Sequence, residues 1–150
     1  MSKIYLCLNC FKYNQVTYLV SDKSNIQCTN CGEHKIIEID DLLAPIVKIL
    51  NQKGYTTLYC CSGHLCKDGC NTYITFPSNI ELPLIPENFI LEDKEFYTIQ
   101  GWDKFYDNTK YSIRRWYMDV RQNDELLYKE IINVHLQLLE WAKILPNLNT

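Results

Sequence analysis

The chain has 150 residues, of which 47% are hydrophobic, 13% aromatic and 22% charged. That is enough apolar material for one core, and a net charge of −3 excludes tight non-specific nucleic-acid binding driven by charge alone. The opening Met1 to Cys7 lacks a signal-type apolar run and no stretch is long enough to span a bilayer, so a cytoplasmic protein without a membrane partner is expected.

The first element in chain order is a metal motif. Cys7-Leu8-Asn9-Cys10 is followed, seventeen residues later, by Cys28-Thr29-Asn30-Cys31-Gly32. Each Cys-x-x-Cys knuckle offers two sulfurs on one side of a tight turn, and two knuckles complete a tetrahedron, so Cys7, Cys10, Cys28 and Cys31 are read as ligands of a structural zinc. Gly32 suits the positive φ that such a turn needs. Phe11 stands at the matching point of the first knuckle, which predicts a less regular turn there. Eight cysteines in a cytosolic chain favour metal over disulfides. Residues 1–39 then read as a zinc ribbon, with strands at Gln15–Val20 and Lys35–Ile39, a polar turn over Ser21–Asn25, and His34 either facing solvent or replacing a cysteine as ligand. So small a unit is expected to lean on its metal for folding.

Residues 40–150 read as an α+β domain. Leu42, Leu43, Ile46, Val47, Ile49 and Leu50 have helical spacing and predict a helix over 41–53, capped by Asp40 or Asp41 and ended by Gly54. Tyr55–Cys61 has the β-branched and aromatic content of a buried strand. A polar loop, Leu65–Asn71, leads to a second strand, Thr72–Phe76. Residues 77–93 hold Pro77, Pro83 and Pro86 and read as an ordered surface connection. A strand is predicted at Glu95–Trp102; Lys110–Val120 is ambiguous, since Ile113, Trp116, Tyr117 and Val120 fit a helix while its β-rich composition favours a strand. The last element is the clearest. Leu127, Ile131, Val134, Leu138, Trp141 and Leu145 form an apolar helical stripe, with Asp124 to cap it and Pro146 to stop it. The expected fold is therefore α+β: an N-terminal zinc ribbon, then a small, mostly antiparallel sheet packed by two helices.

Two further stretches carry chemistry. Cys60, Cys61, His64, Cys66 and Cys70 crowd one strand end and loop. Cys61, His64, Cys66 and Cys70 could form a second zinc site. Cys61 could instead be a thiolate nucleophile beside a His64 imidazolium, with Ser62 and Gly63 presenting backbone N–H groups to an anion and leaving room for ligand atoms. A tight turn with buried cysteines is the plain alternative. The chain's only arginines, Arg114, Arg115 and Arg121, fall within eight residues, interleaved with Trp116 and Tyr117 and preceded by Trp102, Tyr106 and Tyr111. Such a mix can stack on bases and pair with phosphates, or can simply cover apolar surface with arginine stems.

Gly54-Tyr55-x-Thr57, Cys60-Cys61-Ser62-Gly63-His64 and Tyr73-Ile74-x-Phe76 together resemble a pattern in small uncharacterised proteins of phages and Firmicutes, which place it after an apolar helix. The resemblance spans roughly residues 42–76 and implies a phage or mobile-element source. A fainter likeness is to the wybutosine-synthesising tRNA methyltransferase family, whose Ser-x-Cys-Ser-Gly-Arg turn has Tyr59 and His64 here in place of its Ser and Arg. The leading expectation is a zinc-ribbon binding protein that recognises nucleic acid, a nucleotide or a host protein. It would do so through Ser62, Gly63 and His64 and through Arg114, Arg115 and Trp116. A small enzyme acting on RNA or a nucleotide at the Cys61–His64 turn, and a protein-only inhibitor of a host defence system, are the alternatives.

Overall fold

A computed structural model describes residues 3–14, 26–63, 70–97, 104–117 and 123–149. Among them the order is β1 (Lys3–Cys7), β2 (Tyr13–Asn14), β3 (Ile36–Asp40), α1 (Ala44–Gln52), β4 (Tyr59–Cys61), β5 (Asn71–Pro77), β6 (Ile90–Tyr97), β7 (Lys104–Trp116) and α2 (Asp124–Ile144). Two antiparallel sheets result, ordered β2-β1-β3 and β4-β5-β7-β6. The α+β class expected from the sequence is the class observed.

The β1–β3 pair sets Ile4 opposite Ile39 and Leu6 opposite Ile37. Leu6 and Ile39 are buried in the same core as Leu43, Val47 and Leu50 of the α1 region, Ile74 and Phe76 of β5, Ile113 of β7, and Leu127, Ile131, Leu138 and Trp141 of α2. The expected strand at Gln15–Val20 and the turn at Ser21–Asn25 lie outside the described residues.

α1 begins later than the apolar stripe suggests. Its N-cap is Leu43, without a side-chain cap, and a proline stands in the first turn, where its missing N–H costs nothing. Neither Asp40 nor Asp41 caps it, because Asp40 is turned to Ser62 (below). The C-terminus follows the sequence. Gly54 at φ 97° lets its N–H reach the Asn51 carbonyl at 3.1 Å while the Tyr55 N–H reaches that of Leu50 at 2.9 Å, a paired closure of the last turn. Tyr55 is consequently held as a helix-end residue. It is buried with its hydroxyl donating to the Pro146 carbonyl at 2.7 Å, and β4 starts only at Tyr59.

β6 starts at Ile90, inside the stretch expected to be a connection, since its residues find partners across β7 from Ile90↔Arg114 onward. β7 confirms a strand through Trp116; residues 98–103 and 118–122, with Trp102 and Arg121, lie outside the described residues. α2 is capped by Asn123, not Asp124, through its side-chain oxygen and the Leu126 N–H at 3.1 Å. Its far end is closed from outside. Lys53 Nζ donates to the carbonyls of Ala142, Lys143 and Leu145 at 2.9, 2.5 and 2.7 Å, a cation at the negative end of the helix dipole.

Strand alternation sorts the four-stranded sheet into two faces. Thr72, Ile74 and Phe76 pair with Arg115, Ile113 and Tyr111 and turn toward the helices. Tyr73 and Thr75 pair with Arg114 and Ser112 and turn the other way, with Cys61 and Tyr59 beside them on β4.

Candidate functional site

The two knuckles are built alike. The Phe11 and Gly32 N–H groups donate to the carbonyls of Cys7 and Cys28, both at 2.9 Å. The N–H groups of Asn9 and Asn30 point at the sulfurs of Cys7 and Cys28, both at 3.4 Å. Phe11 adopts φ 61° and Gly32 φ 80°, so the first turn is as regular as the second; Phe11 takes the left-handed conformation despite its Cβ. Asn9 and Asn14 add side-chain donors to Cys31 and Cys28, each at 3.5 Å. Asn14 is itself fixed by accepting from the Thr29 N–H at 2.9 Å.

The four sulfurs lie within 4.8 Å of one another, with Cys7–Cys31 and Cys10–Cys28 both at 3.6 Å. A tetrahedron with metal–sulfur bonds of about 2.3 Å has edges of about 3.8 Å. These separations match such a site, and none of the four cysteines forms a disulfide. Burial pushes the Cys7 thiol up to about 11, while a backbone hydrogen bond at Cys31, with weaker help from Asn30 and Asn14, brings Cys28 down to about 6. Cys31 is also lowered, chiefly by the Asn9 amide. The donors aimed at sulfur thus favour thiolates, the form a metal takes. Among the described residues this quartet is the one cluster able to hold a metal, and His34 is exposed away from it.

The Ser62–Gly63 turn has a different role from the one its small residues suggest. Ser62 is fully buried, and both its N–H and its hydroxyl donate to Asp40 Oδ2, at 2.9 and 2.6 Å. Its carbonyl accepts from Thr72 Oγ1 at 2.8 Å, and Thr72 meets the Tyr117 hydroxyl at 2.6 Å. Beside Gly63 a Cβ would come within 3.3 Å of the Asn71 carbonyl and of Thr72 Oγ1. The room expected beside these two residues is filled by the fold. Cys60 and Cys61 are partly buried and Cys70 buried, all without disulfides; His64 and Cys66 lie outside the described residues, and with them the expected second zinc site and the Cys61–His64 pair.

Arg114 and Arg115 are separated by strand alternation. Arg115 turns inward, 3.6 Å from Glu130 of α2 and over the Tyr117 ring. Arg114 lies on the outer face, donating to Glu92 at 2.7 Å and to the Asn71 side-chain oxygen. Its guanidinium covers the rings of Tyr73 and Trp116, at 4.6 and 5.4 Å from their centroids. Lys110 lies over Tyr59 at 5.3 Å. Tyr59 and Trp116 remain 53% and 36% exposed, enough face for a planar ligand to stack on. A groove of about 260 Å³ adjoins Tyr59 and Tyr73, where β3 approaches β4. Tyr59 and Tyr73 stand in the sequence motifs but are not among the expected binding residues, and what marks Tyr73 is its pairing with Arg114, which only the sheet register reveals.

Compared with protein-family models, curated proteins and solved structures, the chain matches none. What stands is the geometry: a four-cysteine cluster able to hold a metal, and a four-stranded sheet whose face away from the helices carries the exposed rings of Tyr59 and Trp116. No helix among the described residues is long and apolar enough to cross a membrane.

Proposed function

We propose that the protein is a zinc-stapled recognition protein that binds single-stranded nucleic acid on the outer face of its four-stranded sheet. The observation that carries this reading is the grouping of Tyr59, Tyr73, Arg114 and Trp116 on the face turned away from the helices. Successive bases stack on such a platform whatever their sequence, and an arginine laid over the rings extends it. Zinc is the metal suited to four thiolates in paired knuckles, and when bound it contributes folding free energy and no reaction chemistry.

The charge pattern decides which forces carry the binding. Glu92 offsets Arg114, and the whole chain is at −3. Stacking, not phosphate pairing, therefore supplies the affinity, and binding should weaken only modestly as salt rises. The test is fluorescence anisotropy of labelled single-stranded DNA and RNA with zinc-loaded protein. Trp116→Ala should weaken binding about 10-fold, the loss of one stacked base. An oligonucleotide bound equally by wild type and Trp116→Ala, or no binding up to high micromolar protein, would refute the reading.

A further inference from the structure

α2 carries a second pattern on the side the core does not use. Leu127, Ile131, Val134, Leu138 and Trp141 face inward. On the opposite side, Glu125, Lys129, Ile132, Leu136, Leu139 and Lys143 recur at spacings of 4, 3, 4, 3 and 4. That is the period of a coiled-coil seam, apolar in the middle and charged at both ends. Ile132 and Leu136 stand 37% and 59% exposed, and Leu139 is partly buried. Each end of the seam holds a compensated pair: Lys129–Glu125 at 3.3 Å and Lys143–Glu140 at 3.5 Å.

We propose that α2 pairs antiparallel with α2 of a second copy of this chain, forming a two-fold dimer. Reversing the helix about position 134 sets Ile132 against Leu136 of the second copy, Lys129 against its Leu139, and Glu125 against its Lys143. Two-fold symmetry repeats each contact. The pair Glu125 and Lys129 then faces the pair Glu140 and Lys143 at both ends of the seam. A parallel pairing would instead set Glu125 on Glu125 and Lys143 on Lys143, so the charges select the antiparallel sense.

The flank of the helix fits the same occupant. Leu126 and Ile144 are eighteen residues apart, five full turns, and so lie on one line of α2. Both are exposed. Antiparallel pairing brings Leu126 of the second copy beside Ile144, over a groove of about 580 Å³ between α2 and residues 84–87. Trp141 fixes one wall of that groove by donating to the Leu84 carbonyl at 2.8 Å. Because the seam lies on the side of α2 opposite its core-facing residues, pairing leaves the exposed Tyr59 and Trp116 of both copies uncovered, and on the proposed function a strand long enough to reach both pairs would be held bivalently.

The experiment is sedimentation equilibrium of the zinc-loaded full chain from about 1 to 100 µM, the range in which an interface near the minimum stable size dissociates. Wild type should show a monomer–dimer equilibrium. Leu136→Glu, a substitution on an exposed position, should be monomeric throughout with unchanged circular dichroism. Glu125→Lys should weaken the dimer about 10-fold, and adding Lys143→Glu to it should restore the wild-type constant or better, since two lysines then face two glutamates. A wild type monomeric at 100 µM, a dimer indifferent to Leu136→Glu, or a double variant no tighter than Glu125→Lys alone would each overturn the proposal.

Discussion

Asp40 shows how a single residue is reassigned by its surroundings. A carboxylate just ahead of an apolar helix is a good cap by sequence, yet here it is 2% exposed and receives two hydrogen bonds from Ser62. Charge-assisted bonds to a buried carboxylate outweigh one helix cap, because an unsatisfied buried charge costs more than a frayed first turn. His135 is a second buried polar group, 5% exposed on the inward side of α2, with Nδ1 2.6 Å from the Ile131 carbonyl. Burial, partly opposed by that carbonyl and by Asp40 and Asp41, holds its pKa below the ordinary 6.5. Above about pH 6.5 the ring is neutral in both folded and unfolded chains and contributes nothing to pH dependence. Below it the unfolded chain takes up a proton that the folded chain refuses, so stability is lost as the pH drops, by up to about 1.4 kcal/mol per unit. Denaturant unfolding at several pH values, with metal content matched, should show that slope in wild type and a shallower one in His135→Gln; equal slopes would remove His135 as its source.

At the scale of elements, the two helices illustrate local and distant control. The end of α1 is written locally, in Gly54 and the residues around it. The end of α2 is not: its last carbonyls are held by Lys53, about ninety residues earlier in the chain. Leu148 and Asn149 add bonds to the Lys53 and Gln52 carbonyls, at 2.7 and 2.9 Å, so the two helix ends lock each other. Lys53→Met keeps the stem and removes the donors. It should destabilise the protein by about 1–2 kcal/mol, read as a lower denaturant midpoint with unchanged slope. Hydrogen exchange should quicken first in the last turn of α2; an unchanged midpoint would mean that water replaces the lysine without loss.

Across the whole molecule, the four-cysteine module shares buried core with the helices. Sequence alone made residues 1–39 a unit without its own core, and Leu6 and Ile39 supply the link, packed with α1, β5 and α2 residues. Metal loss should therefore be felt beyond the knuckles. Removing the metal with a chelator, or losing it through Cys28→Ser, should lower Tm by about 5–10 °C, as expected for a few kcal/mol in a domain of this size. Hydrogen-exchange protection should fall in residues 3–14 and 26–40 and persist in α2. Metal analysis finding no metal in anaerobically purified protein, or a Tm indifferent to chelation, would contradict the account.

The sequence by itself determined the four-cysteine cluster able to hold a metal, the α+β class and the two helices. Each of these rests on short-range information: knuckle spacing, a 3.6-residue apolar period, and a glycine that accepts positive φ. It did not set Tyr73 beside Arg114, it grouped Arg114 with Arg115, and it left Ser62 and Gly63 open between a ligand site and a tight turn. These gaps share one origin. Which face a strand residue takes, and what lies across from it, depends on register between segments some forty residues apart, as between Tyr73 and Arg114. A polar group's role depends likewise on what burial brings beside it, as Asp40 and Ser62 show. Only the tertiary structure decided these, because strand pairing and desolvation are long-range interactions with no local spacing to announce them.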